Sequence, residues 1–376
     1  VLDMGQNMVG WIQMKVQGAK GTKVRLRFTE TLKSDGSIYL ANLRSAKVTD
    51  TYILSGEGAE TFEPRFIYHG FRYVEITNYP GTPKLENFAG QVVYDAVETI
   101  GKFKSENQIL NQIYKNAYWG IRGNYRSFPT DCPQRDERQG WLGDRGASSK
   151  GESFVFRNIT LYAKWLQDIN DAQLENGIVP DVAPSFYKIY NDGVTWPSAF
   201  VIIPYFYYQN FGDKSVIEKN YDAIKKWSNH MISFLQEGLI GKDTYGDWCV
   251  PPESLELIFT QDPLRKTPPQ LLASSYLYYD LKLAAYYAKL LNKAEDEAYF
   301  EKIAAEIKLA INKNLFNSNN SQYANNSLTS SILPLAFDIV EDKNKEKVFN
   351  NLVDKLMTSH QGHVGTGLIG AQWQMK

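Results

Sequence analysis

The chain has 376 residues, enough for two or three domains. Hydrophobic residues make up 43% and charged residues 22%, which is the balance of a folded globular protein and excludes a disordered or fibrous one. A formal net charge of −1 gives no electrostatic case for nucleic acid or an anionic membrane surface, and no apolar run reaches the ~20 residues that span a bilayer. Neither nucleic acid nor membrane insertion is therefore expected.

Residues 1–98 read as β-structure. In Lys23–Thr31, Val24, Leu26 and Phe28 alternate with Lys23, Arg25 and Arg27, the period of a half-buried strand. Trp11–Val16 puts Ile12, Met14 and Val16 on one face. Tyr68–Ile76 sets Phe71, Tyr73 and Glu75 against Arg72, Val74 and Ile76. Turn formers separate these runs at Gly18–Gly21, Ser34–Gly36, Gly56–Gly58 and Tyr79–Gly81. Several short strands at this spacing predict an antiparallel β-sandwich. Glu30, Asp50, His69 and Arg72 read as internal ion pairs or domain-interface groups.

The period changes near residue 105. Ser105 and Gln108 make a capping box, and Ile109, Ile113, Ala117 and Ile121 follow at helical spacing. Helices are predicted over 150–170, 197–211, 214–237, 328–338 and 344–357. Two more follow from the stripes Leu277, Leu281, Ala284, Ala288 and Phe300, Ile303, Ala304, Ile307, Ile311. Long loops at 128–144, 176–197 and 240–268 alternate with short ones and carry Pro, Gly, Asp and Trp. Helical hairpins with long loops at one end predict an α/α toroid over 99–376, with its site at that end.

Several chemistries are absent. The two cysteines, Cys132 and Cys249, form no CxxC pair, and they suit an oxidising or a reducing compartment equally. His360 and His363 have no third ligand at metal-site spacing. GxSxG, GxGxxG and GxxxxGK[ST] do not occur. No metal and no cofactor are expected.

The densest chemistry lies in Phe128–Asp144, FPTDCPQRDERQGWLGD. Asp131, Asp136, Glu137 and Asp144 are interleaved with Arg135 and Arg138, and Trp141 follows. Carboxylates beside an aromatic platform suit sugar chemistry: an acid protonates the leaving oxygen, carboxylates hold hydroxyls, and an indole covers the apolar ring face. Asp144 is also placed to cap the next helix, Arg138 to neutralise the acids, and Asp136 to form a plain salt bridge. Asp181, Asp247 and Glu253 are weaker candidates on the long loops.

The stretch resembles the signature of bacterial α-L-rhamnosidases, the inverting glycoside hydrolases of family 78. Thr29-Glu30-Thr31-Leu32, Asn42-Leu43-Arg44 and Tyr68–Glu75 resemble the sandwich that precedes the catalytic domain in that family. Gly246-Asp247-Trp248 and Gly365-Thr366-Gly367 resemble later segments. The resemblance implies an (α/α)6 six-hairpin barrel over 99–376, incomplete at its C-terminal end. It implies Glu137 as general acid, with Asp131, Arg135, Trp141, Asp144 and Trp248 binding a rhamnosylated substrate. The family's general base is a glutamate well after the Gly-Thr-Gly turn, so it is expected beyond Lys376, and the chain reads as part of a longer protein. Relatives usually carry Asp where Ser198 stands, which touches on sugar specificity. An α/α-barrel enzyme for another sugar, a uronate lyase and a non-catalytic carbohydrate-binding protein are the alternatives. The lyase is disfavoured by Glu and Asp standing in place of a Tyr/His pair.

Overall fold

The structure, a computed structural model, describes residues 1–375. The chain divides into two compact units, one of Val1–Gly140 with Val155–Leu161, the other of Trp141–Phe154 with Tyr162 onward.

In the first unit, strands β1 (Leu2–Gln17), β2 (Lys23–Thr29), β3 (Thr49–Ile53), β4 (Ala59–Phe62), β5 (His69–Thr77) and β6 (Phe88–Val92) form one connected antiparallel network. Their order is β3-β2-β5-β1-β4, with β6 also on β1. The long β1 pairs with β5 through Gly10, with β4 from Met14 and with β6 over Gly10–Met14. The predicted alternation holds: Ile12, Met14 and Val16 of β1 meet Val24, Leu26 and Phe28 of β2 in one apolar cluster. Each such side chain contributes roughly 1.5–3 kcal/mol through burial. Alternation fails in β5, where Phe71 and Val74 both enter that cluster although three residues apart. The register of β1 shifts between Asp3 and Met8 opposite this point, and such bulges raise local twist. The predicted ion pairs form: Asp50 meets buried His69 at 3.0 Å, and Arg72 meets Asp3 through two bonds of 2.8 and 2.9 Å. Glu30 instead accepts from the Asn7 amide.

Helix α1 (Gln108–Gly123) starts later than the capping box predicts. Asn107 is the cap, because its Oδ1 accepts from the Ile109 and Leu110 amides, while the Ser105 hydroxyl donates to the Asn107 carbonyl. The helical spacing of α1 holds, and Ile109 and Ile113 of that stripe are exposed. The helix instead turns its aromatic side inward, with the Tyr114 hydroxyl donating to the Gly101 carbonyl and Tyr118 against Phe156.

The second unit is helical: α2 (Leu142–Val155), α3 (Ile159–Asp171), α4 (Ala199–Phe211), α5 (Ser215–Ile232), α6 (Pro269–Leu290), α7 (Ala294–Asn314), α8 (Leu328–Ala336), α9 (Asp342–Thr358) and α10 (Leu368–Gln374). Strands β7 (Phe316–Asn317) and β8 (Gln322–Tyr323) make a small hairpin after α7. Successive helices pack as pairs, α4 on α5, α6 on α7 and α8 on α9. Helices α4 and α6 are apolar nearly all round and are buried accordingly, including Leu277, Leu281, Ala284 and Ala288. Helix α2 buries small residues instead, Gly143, Gly146, Ser149 and Ser153. A Cβ on Gly143 would lie 2.1 Å from the Trp196 indole, so this motif glycine allows the helix to start against that ring.

Candidate active site

The first half of the signature is a loop closed on itself. The Asp131 amide donates to the Gln139 carbonyl at 2.8 Å, and the Gln139 amide donates to Asp131 Oδ1 at 2.6 Å. Inside this ring Arg135 Nη2 stands 2.8 Å from Glu137 Oε2 and 3.5 Å from Asp131 Oδ2. A second guanidinium, that of Arg44 in the loop before β3, lies 2.9 Å from the same Glu137 oxygen. The Asp131 side chain is only 4% exposed and its Oδ2 makes no hydrogen bond. Burial is the largest influence on Asp131 and raises its pKa; the Cys132 thiol and the Gln139 N–H oppose it. The buried thiol of Cys132 is pushed up to about 12, by burial first and Asp131 second.

Asp131, Cys132 and Glu137 offer donor atoms within 4.8 Å of one another, the only such group among the described residues. Arg135 stands against both carboxylates, so a guanidinium already supplies positive charge there. Asp136 accepts from the Ser45 amide and hydroxyl, which gives a hydrogen-bonded acid where a salt bridge was the alternative. Arg138 does not neutralise the acids. Its guanidinium lies 4.2 Å from the Tyr68 ring and donates to the Tyr68 carbonyl at 3.1 Å, since the chain turns back at Arg138 with φ +55°.

The second half of the signature belongs to the helical unit. Trp141 forms a β-bridge to Val182, and the Leu142 amide donates to the Asp181 carbonyl. The Trp141 ring meets Tyr245 edge-on at 5.8 Å, Tyr245 packs on Trp196 at 4.4 Å, and Tyr245 meets Trp248 edge-on at 6.0 Å. Trp248 and Phe259 continue this row along a cavity of about 270 Å³ that also has Cys249, Lys266 and Thr267 on its walls. Trp248 is 45% exposed, so it is a surface platform and not a core residue, whereas Trp196 is buried. Asp144 lies in the first turn of α2, where the helix dipole favours a carboxylate. Burial and then the Asp144 charge raise the Cys249 thiol.

Trp248 is held by the backbone around it. Asp247 accepts from the Thr329 hydroxyl at 2.5 Å and from the Gly367 and Gly370 amides at 3.0 and 2.9 Å. The Leu368 amide donates to the Trp248 carbonyl at 2.8 Å. A Cβ on Gly367 would lie 2.4 Å from both the Asp247 and the Trp248 carbonyl oxygens. Gly246-Asp247-Trp248 and Gly365-Thr366-Gly367 therefore form one piece of structure, and Asp247 is a clamp in it.

Asp181 is buried and accepts from the Asn191 amide and side chain. Glu253 accepts from the Thr260 hydroxyl. Ser198 is buried and its hydroxyl donates to Asp280 Oδ2 at 2.5 Å and to the Val194 carbonyl, so it has no access to a bound sugar. Three residues that matter here were not singled out for chemistry from sequence: Arg44, Tyr245 and Trp196. Arg44 stands in the Asn-Leu-Arg segment of the resemblance, and Tyr245 directly precedes Gly-Asp-Trp. Those positions were the available signals. No helix among the described residues is long and apolar enough to cross a membrane.

A family model described as the bacterial α-L-rhamnosidase six-hairpin glycosidase domain matches residues 98–376, and one described as the bacterial α-L-rhamnosidase concanavalin-like domain matches residues 1–94. A strand-rich N-terminal domain is thus followed by a helical six-hairpin glycosidase domain. An α-L-rhamnosidase of Streptomyces avermitilis is 35% identical over 370 residues, covering 98% of this chain and 34% of that protein. One of Formosa agariphila is 34% identical over 375 residues, covering 98% and 40%. Among solved structures, α-L-rhamnosidase from Dictyoglumus thermophilum superposes with a TM-score of 0.93 at 38% identity, covering 99% of this chain and 41% of that one. The Streptomyces avermitilis enzyme, complexed with L-rhamnose, gives 0.91 at 36% identity, covering 98% and 34%. The chain spans between a third and about two-fifths of the length of these relatives.

Proposed function

We propose, from the premise that this chain belongs to the bacterial α-L-rhamnosidase six-hairpin glycosidase family, that the full protein releases terminal α-L-rhamnose from glycosides or glycans by single-displacement inversion. The observation that carries the reading is the Asp131, Arg135 and Glu137 cluster. It sets one half-buried carboxyl between two guanidinium groups, next to a buried carboxylate oxygen that makes no hydrogen bond.

In this reading Glu137 protonates the glycosidic oxygen. Arg44 and Arg135 both pair with Oε2 and so orient the carboxyl, which leaves Oε1 as the oxygen that carries the proton and delivers it. Asp131 and Arg135 accept from and donate to sugar hydroxyls. In the helical unit Asp144 takes a further hydroxyl. Trp141 and Trp248 cover the apolar face and C5 methyl of this 6-deoxy sugar. Inversion needs a second carboxylate about 6.5–9.5 Å from the acid to activate water on the opposite face. We assign it to the part of the full protein outside these residues, for which the relatives' greater length leaves room. We assign the strand-rich residues 1–98 to a β-sandwich and residues 99–376 to an (α/α)6 barrel that the full protein closes.

The test is hydrolysis of an aryl α-L-rhamnoside by the full-length protein, followed by proton NMR. β-L-Rhamnose is the expected first product. Glu137→Gln should lower kcat on an unactivated alkyl rhamnoside about 10²–10⁴-fold, the weight of one general acid. Undiminished turnover in that variant would remove Glu137 from the role.

A further inference from the structure

We infer that the cleft between the signature loop and the first residues of β3 and β5 is the leaving-group subsite, and that it suits a leaving group bearing a carboxylate, such as a uronic acid. The inference rests on Glu137 as the general acid. An acid that protonates the glycosidic oxygen has the departing group next to its own carboxyl. An open cleft of about 370 Å³ runs from Glu137 and Arg135 along Lys47, Thr49, Ile67 and Tyr68. That volume falls within the range of small-molecule clefts, about 300–1,000 Å³.

One wall is apolar and firmly held. Ile67 is part-exposed, and the Tyr68 ring lies 4.7 Å from the Arg126 guanidinium and 4.2 Å from that of Arg138. The two guanidinium groups over its ring fix Tyr68 in the wall. Of the acids of the cleft, Glu137 is paired with Arg44 and Arg135, while Asp136 is bonded to the neutral Ser45 and keeps its charge. His69 at its floor is turned to Asp50. Lys47 is exposed and has no ion pair among the described residues. Three cations, Lys47, Arg135 and Arg138, line the cleft with two acids, Asp136 and Glu137, so the excess charge that meets a ligand is positive. A neutral aglycone makes no use of it, whereas a carboxylate pairs with the Lys47 ammonium.

The experiment uses the full-length protein and three substrates: an aryl α-L-rhamnoside, an α-L-rhamnosyl uronic acid disaccharide, and the same disaccharide with its carboxyl reduced to an alcohol. The acid form should exceed the reduced form in kcat/KM by about two- to fivefold, the scale of one exposed charge pair, and the ratio should shrink as salt is raised. In Lys47→Ala the ratio should fall to near one, and Lys47→Arg should keep it. Cleavage of the aryl rhamnoside with equal rates on both disaccharides, or a preference that survives Lys47→Ala, overturns the subsite and leaves the activity standing. An inactive full-length protein overturns the activity, and the subsite falls with it.

Discussion

The two units hold their candidate site residues by different means. Up to Gly140, Glu137 is held by the charges of Arg44 and Arg135, on long side chains that are 55% and 32% exposed. From Trp141 onward, Trp248 is held through the backbone: Asp247 accepts from two amides and a hydroxyl, and the Trp248 carbonyl accepts from a third amide. Ion pairs to partly exposed guanidinium groups cost little to rearrange, so this hold on Glu137 is the weaker of the two. Backbone amides have nowhere to move, so the platform keeps its place. The difference separates a side chain held by charge from one held by the backbone.

Asp247→Ala should break this contrast most severely. It leaves the Gly367 and Gly370 amides and the Thr329 hydroxyl without their acceptor, at about 1–3 kcal/mol for each buried orphan, so a loss above about 3 kcal/mol is expected in denaturant unfolding. Arg44→Ala, measured alongside, should cost under about 1 kcal/mol. Equal losses would end the distinction.

A smaller effect concerns Asp280 on α6, the buried acceptor of Ser198. Burial raises its pKa well above the ordinary carboxylate value of 3.8, and the Ser198 hydroxyl only partly opposes this. The folded chain then binds this proton more tightly than the unfolded one. Its stabilising contribution is complete below the ordinary value and is lost as pH rises through the raised folded value. Thermal unfolding across that window should show the loss in the parent chain and not in Asp280→Asn, whose amide stays neutral throughout. A pH slope identical in both would remove Asp280 as its source.

Trp248→Ala should have the least effect on stability. A 45% exposed ring at a cavity wall leaves unfolding within about 0.5 kcal/mol of the parent. If the ring meets the sugar, KM of the full-length protein on an aryl rhamnoside should rise about three- to tenfold, the value of one aromatic face. An unchanged KM would mean that the platform is structural.

Much of this was legible in the residues. Alternation marked β1 and β2 because side chains two apart share a face, and 3.6-residue stripes marked α6 and α7. The signature was legible because so many acids, arginines and glycines rarely share seventeen positions by chance. The start of α1 was misplaced because two cap-forming side chains, Ser105 and Asn107, compete within three residues, and only Asn107 reaches the first free amides. The exposure of the α1 stripe was not legible, because spacing reports a face and not what lies against it.

By itself the sequence determined the order of strand-rich and helical domains, the helix and strand periods, and which short segment is densest in acids and arginines. Each of those depends on neighbours a few residues apart. Only the tertiary structure decided that Arg44 meets Glu137, that Ser198 faces Asp280 and not solvent, and that Asp247 clamps the turn at Gly367, 120 residues away. Those pairings depend on the path of the chain between the partners, and no local pattern of residues encodes that path.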